Sequence, residues 1–272
     1  MATSIQDVLS VLRCPKTHTP LELQRGKLVS RDGITYAIRD GIVDFVDQDL
    51  ARASPGVESA YERIGSLKYE FLILNPFWLM FLWGVGFLKA PLYMFKLLEI
   101  SPGWTLDIPC GTGLFSTRIY RSHPRVQFVA VDYSWGMLRA AQMRARKKNI
   151  DNVIFCRADV ANLPFSDGAF SGAISLAGFH AFPDPGAAGV EIGRTLISSA
   201  PLLVSVACRG VRRISDFMID KYLVPQGYFS QALSPCDYQA CLEKGGIREL
   251  DVKMAGALMI VKGRKGNKCS SR

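Results

Sequence analysis

Two glycines, Gly111 and Gly113, follow Asp107-Ile108-Pro109-Cys110 at the end of an apolar run and stand directly before a stretch with helical spacing. Such a loop lets backbone come close to a ligand and aims the free N–H groups of a helix start at it, which is cofactor-binding chemistry. A glycine pair alone also serves ordinary strand-to-helix turns. A second acidic residue narrows the choice. Asp132 closes the run 126–131, about twenty residues beyond the glycines, where a carboxylate at the end of a neighbouring strand can accept from both hydroxyls of a ribose. Capping of the helix that begins near Trp135 is the competing use of that side chain. Asp159 follows the run 153–156 and His180 follows the run 172–176, so further chemistry-bearing positions also stand at strand ends. A nicotinamide dinucleotide site fits less well, since no third glycine opens the helix and Asp159 is left without a role.

The elements that must hold these positions read as an alternation. Apolar runs at 105–108, 126–131, 153–157, 172–176 and 201–207 alternate with helical stretches at 115–121, 137–148 and 187–196. That order predicts an α/β fold, a Rossmann-like, doubly wound, mostly parallel sheet with helices on both faces. Runs at 250–254 and 258–262 are expected as an antiparallel pair at the sheet edge. Residues 1–50 predict a small β-rich N-terminal module: an opening helix, then runs at 21–23, 27–30 and 35–38 between Arg-Gly and Asp-Gly turns. Residues 47–58 read as a linker. The expected division is therefore 1–50, then a linker and apolar cap at 51–99, then a domain at 100–272 with an insertion at about 209–245.

Residues 71–88 hold no ionisable side chain, which just reaches the length of a membrane-spanning helix. Asn75-Pro76 within it, Gly84, Gly86 and the following Pro91 argue against an unbroken span. A helical cap over the site is expected instead, and an interfacial position with Trp78 and Trp83 at headgroup depth is the alternative. At 49% hydrophobic and 21% charged, the 272-residue chain reads as a globular enzyme-sized protein, excluding disordered, collagen-like and coiled-coil classes. Lys and Arg outnumber Asp and Glu by 33 to 24, and the net charge of +9 is compatible with an anionic partner, nucleic acid or a lipid surface. Seven irregularly spaced cysteines, and a start without signal-peptide pattern, lead to the expectation of a reducing, cytoplasmic setting, with membrane contact at most peripheral.

The stretch Arg157-Ala158-Asp159-Val160-Ala161-Asn162-Leu163-Pro164-Phe165 resembles the adenine-recognition loop of class I S-adenosylmethionine-dependent methyltransferases. The resemblance runs on through Asp167-Gly168-Ala169-Phe170 and Phe179-His180-Ala181-Phe182-Pro183-Asp184-Pro185, and covers about residues 100 to 210. It implies S-adenosylmethionine as cofactor. Asp107, Gly111 and Gly113 would shape the methionine pocket, Asp132 would hold the ribose, Asp159 would bond the adenine amino group, and Val160 would offer its backbone N–H to an adenine ring nitrogen. Pro109, Cys110, Tyr133, Met137 and Leu176 are the further cofactor contacts it implies. Two departures stand out: Pro109 sits where the family often has glycine, and Ser198-Ser199-Ala200-Pro201 replaces its usual Pro-Gly-Gly.

On the acceptor side, His180 is the candidate catalytic residue, either as general base or as a group that shapes the pocket without titrating. Trp78, Phe81 and Trp83 of the cap, with Phe179 and Tyr222, are the candidate substrate contacts; Cys208, Tyr228 and Phe229 are weaker ones for which a core role is the safer reading. The front unit resembles a zinc-ribbon-like module found ahead of some methyltransferases and, as a separate subunit, in an activator of transfer-RNA methyltransferases. The matching residues are Leu12-Arg13-Cys14-Pro15, Pro20-Leu21 and Tyr36-Ala37-Ile38-Arg39-Asp40-Gly41-Ile42-Val43-Asp44-Phe45. Thr17 stands where the second cysteine is expected and His18 cannot complete a four-ligand set, so no metal is expected. The expected activity is methyl transfer to a small, largely apolar acceptor such as an isoprenoid, quinone or polyketide. An RNA methyltransferase using the basic runs at Arg144, Arg146, Lys147, Lys148 and at Lys262, Arg264, Lys265, Lys268 is the alternative, and a non-catalytic cofactor-binding or membrane-associated scaffold is a third.

Overall fold

The computed structural model describes residues 3–46, 70, 75, 79–84 and 94–267. The chain opens with a one-turn helix, α1 (Ile5–Val8), and three antiparallel strands, β1 (Leu21–Gln24), β2 (Lys27–Ser30) and β3 (Thr35–Arg39). Two-residue turns at Arg25–Gly26 and Asp40–Gly41 close the first and last hairpins with positive φ at both central positions, the turn geometry that matches strand twist. The second of these turns leads into β4 (Ile42–Asp44), a strand too short to show a pattern of its own.

Five further strands, β5 (Trp104–Asp107), β6 (Gln127–Asp132), β7 (Val153–Arg157), β8 (Gly172–Leu176) and β9 (Pro201–Ala207), pair in parallel in the order β7-β6-β5-β8-β9. The strands β7, β8 and β9 are buried at every position, as a sheet covered on both faces requires. One face packs on α2 (Ser116–Ser122) and α3 (Trp135–Lys147) through Ile119, Tyr120, Leu138 and Ala141. The other packs on α4 (Pro185–Thr195) and a later helix, Pro235–Lys244, through Ala188, Ile192, Tyr238 and Leu242. Between these two helices the insertion contributes α5 (Arg213–Met218), so Pro235–Lys244 is α6. The antiparallel pair β10 (Ile247–Ala255) and β11 (Leu258–Lys265) closes the far edge, with β11 bonded to β9.

The α/β class and the parallel order agree with the sequence expectation. What the sequence did not announce is that β4 lies parallel to β7, in the register Ile42↔Phe155, Val43↔Cys156 and Asp44↔Arg157. The eleven strands among the described residues therefore form one sheet, β1-β2-β3-β4-β7-β6-β5-β8-β9-β11-β10. Val8, Leu12, Leu28, Tyr36 and Val43 share one core with Leu106, Val131 and Cys156, so the front strands and the parallel strands bury each other. The expected linker at 47–58 lies outside the described residues.

Candidate cofactor and acceptor site

The carboxyl ends of β5, β6, β7 and β8 meet at one edge of the sheet, where a doubly wound fold places its ligand. The loop after β5 is pinned from both sides, by Ile108 N–H donating to the Ile174 carbonyl at 2.9 Å and Cys110 N–H donating to the Val131 carbonyl at 2.9 Å. Gly111 and Gly113 both have positive φ. A Cβ on Gly111 would meet nothing within 4 Å, so the loop is a cradle with open space above it, whereas one on Gly113 would crowd the backbone of Ala141 in α3. The loops after β5 and β8 also touch: a Cβ on Gly178 would overlap the Pro109 ring.

Asp132 binds this loop to the next. One of its oxygens accepts from Gly111 N–H and the other from Ser134 N–H, each at 2.9 Å. Ser134 in turn caps α3 by accepting from Met137 N–H at 3.3 Å. The helix-capping alternative for Asp132 thus falls to Ser134, and the carboxylate stays at the strand end. Asp107 is fully buried: Tyr120 Oη donates to one of its oxygens, and the other is buried with no hydrogen-bond partner. Burial pushes its carboxyl up to about 7, Asp132 adds to the rise, and hydrogen bonds from Ser116 and Tyr120 oppose it.

This pair sets the site's electrostatics. Asp107, with an unsatisfied oxygen and its ionisation disfavoured by burial and by Asp132, would be stabilised in its charged form by a cationic ligand. S-adenosylmethionine carries both an ammonium and a sulfonium, and so fits the residues present. Of the other expected cofactor contacts, Tyr133 continues the Asp132 loop, Met137 is buried in the first turn of α3, and Leu176 is buried at the end of β8. Asp159 stands exposed, one oxygen accepting from Ala161 N–H at 2.9 Å, next to buried Val160.

The cap expectation can be followed for the described part of 71–88. Leu79–Trp83 forms a single π-helical turn laid against α5 and the β10–β11 turn. Ala257 N–H donates to the Trp83 carbonyl at 2.8 Å, Ser215 Oγ donates to the Leu82 carbonyl, and Arg212 donates to the Phe81 carbonyl at 3.4 Å. The Trp83 ring stacks on Phe229 with centroids 6.0 Å apart, and Phe229 stacks on His180 at 3.9 Å. This three-ring stack runs from the cap to the end of β8. His180 is 9% exposed, its Nδ1 is buried without a partner, and burial pulls its pKa down to about 3. At neutral pH it is an uncharged imidazole that can give or take a hydrogen bond, since its pKa is too low for it to hold a second proton there.

Other expected acceptor contacts are placed differently. Phe179, next to His180 on the 3₁₀ turn Phe179–Ala181, points the opposite way into the main core, edge-on to Phe182 and Tyr238. Tyr222 is exposed on the outer side of the insertion against Phe217, because neighbouring buried positions there are taken by Ile219, Tyr228 and Phe229. Phe81 is exposed, and Trp78 lies outside the described residues. Phe229, a weaker candidate in the sequence, is the ring that joins cap to His180. Arg157 was given no role, yet among the described residues it is the buried Lys or Arg side chain, and it stands at the end of β7.

Residues 105–197 match the family model described as a methyltransferase domain. The fold is that of a class I methyltransferase. An S-adenosylmethionine-dependent methyltransferase of Thermotoga maritima superposes with a TM-score of 0.59 at 20% identity, over 77% of this chain and 99% of that one. The cofactor that goes with such a domain is S-adenosylmethionine. In sequence, the chain is similar to an uncharacterised chloroplastic methyltransferase of Arabidopsis thaliana, 34% identical over 125 residues, and to a demethylmenaquinone methyltransferase of Porphyromonas gingivalis, 30% identical over 134 residues. The matches cover 43% and 48% of this chain, and 35% and 55% of those relatives.

Proposed function

We propose that this chain transfers a methyl group from S-adenosylmethionine to a small apolar acceptor of quinone or isoprenoid type. The observation that carries the reading is the Trp83–Phe229–His180 stack, an aromatic run from the cap segment to the turn after β8 that, in this reading, forms the aromatic wall of the acceptor space. The similarity to a demethylmenaquinone methyltransferase supports the same acceptor class. The bound cofactor supplies a methyl carbon attached to a positively charged sulfur. Asp107 and Asp132 balance the ligand's positive charge, the Gly111 cradle admits it, and the aromatic wall orients a flat acceptor and excludes water. His180 serves by hydrogen bonding to the acceptor as a neutral group, so most of the acceleration comes from alignment.

The alternative of an RNA acceptor has weaker support. Arg144 pairs with Glu70 and bonds the Thr112 carbonyl, Arg146 bonds the Asp40 carbonyl, Lys262 and Arg264 pair with Glu99, and Lys265 bonds the Gly245 carbonyl. These basic groups hold the fold together, and phosphate contacts would compete with those bonds. In the same reading the front strands descend from a zinc-ribbon-like module that no longer uses metal. A reducing compartment suits the thiols: Cys14, Cys110, Cys156 and Cys208 are buried and free.

The test offers cofactor labelled in its methyl group with demethylated quinones and polyprenyl compounds in one reaction and total RNA in another. Label in the apolar fraction is expected. Label confined to RNA would replace this reading with the alternative. In parallel, Asp132→Ala should raise the cofactor Kd about a hundredfold or more in a folded protein, as the loss of a charged group that ties two cofactor loops and accepts from the ligand.

A further inference from the structure

We propose that Asp44, in the front strands, is a positioning residue for the adenosine half of the cofactor site and acts through Arg157; this rests on the cofactor reading given above. The two residues stand opposite each other in the β4–β7 ladder, at the edge where both strands end. Arg157 is 4% exposed and Asp44 5%, and one guanidinium nitrogen of Arg157 lies 3.4 Å from an Asp44 carboxylate oxygen. The same guanidinium reaches the other way. Its Nε donates to the Tyr133 carbonyl at 2.8 Å, and its Cζ lies 5.3 Å from the centroid of the Tyr133 ring and 5.5 Å from that of the Trp135 ring. Tyr133 is the residue after Asp132. A carboxylate of the front strands thus fixes the cation that fixes the loop carrying the ribose acid.

A second brace ties the front unit to the other loop. Leu12 bridges to Phe165, Arg13 N–H donates to the Pro164 carbonyl at 2.9 Å, and Asn162 Nδ2 donates to the Pro15 carbonyl at 3.1 Å. The stretch after Asp159 is therefore held by residues 12–15, and the stretch after Asp132 by Asp44 through Arg157. A structural role in the core alone would not require a buried ion pair at this edge, since an apolar pair of similar volume stabilises as well. What an apolar pair cannot provide is the charge-assisted bond to the Tyr133 carbonyl.

The experiment uses the full chain and four variants: Asp44→Asn, Arg157→Met, the double variant Asp44→Asn/Arg157→Met, and Leu28→Ala, a core substitution in the front strands away from this chain of contacts. Cofactor Kd by calorimetry, cofactor KM, acceptor KM and melting temperature are measured for each. Asp44→Asn and Arg157→Met should raise cofactor Kd and KM about tenfold, the effect of losing one charge-assisted bond, while kcat at saturating cofactor and acceptor KM stay within twofold. The double variant should recover melting temperature without recovering cofactor affinity. Leu28→Ala should lower melting temperature and leave cofactor Kd unchanged. Cofactor affinity unchanged in Asp44→Asn, or lost equally in Leu28→Ala, or restored in the double variant, would overturn the proposal. Failure of the unmodified chain to bind cofactor would overturn the functional reading itself and is seen before any variant is compared.

Discussion

Asp107 shows how a single side chain can cost stability and serve a ligand. In the unfolded chain its carboxyl titrates in the ordinary range, near 3.8, and burial in the folded protein pushes it up to about 7. The folded state holds the proton more tightly, so stability falls as pH rises from about 4 to about 7 and is lowest above that window. A cationic ligand reverses the preference by favouring the ionised form, so cofactor affinity should weaken as pH drops below 7. Asp107→Asn removes the buried charge and keeps an acceptor for Tyr120. It should melt higher than the parent at pH 8, with little gain at pH 4, and bind cofactor about tenfold or more weakly. Thermal melts across that pH range with calorimetry at pH 8 check both halves. A higher melting temperature without weaker binding would detach Asp107 from the cofactor. The positions of these residues were legible where the local pattern carried the signal, Asp107 and Asp132 at strand ends and Gly111 and Gly113 in the turn before a helix. Arg157 was not legible. An arginine closing an apolar run reads as the start of a solvated loop, and only the arrival of Asp44 from 113 residues away makes it a buried pair.

At the scale of elements, the same distinction separates the parallel strands from β4 and the cap. Strands β7, β8 and β9 were read from sequence with their observed bounds because a run buried on both faces is mostly apolar. The strand β4 spans three residues, and what makes it a strand is its partner. The Leu79–Trp83 turn was expected to cap the site, and its described part is anchored through three carbonyls, a device no hydropathy pattern reveals. The aromatic stack predicts a division of labour. Trp83→Leu forfeits an aromatic contact of about 0.5–1.5 kcal/mol, so acceptor KM should rise roughly threefold to tenfold while cofactor Kd stays within twofold. Steady-state kinetics with each substrate varied in turn decide it. Equal changes in both constants would mean that the stack supports the whole site and has no special relation to the acceptor.

For the whole molecule, the joined sheet makes residues 3–46 part of the fold's hydrophobic economy. Without them the β7 edge, Val-Ile-Phe-Cys-Arg and buried at every position, would face water with its backbone groups unpaired. Deletion of residues 1–46 should therefore give aggregated protein, measured by sedimentation after expression, in place of a trimmed but soluble methyltransferase domain. Soluble, monomeric protein with an unchanged melting temperature would show that the front strands are an ornament.

The β4–β7 ladder also orders assembly in time. A chain leaving the ribosome completes its first four strands long before β7 exists. Four short strands and one helical turn are too small to bury a core alone. The contact that fixes them must close a loop of more than a hundred residues, an event whose entropy makes it slow. The parallel strands have the shorter loops to close, and β4, made before them, needs the β7 edge that they supply.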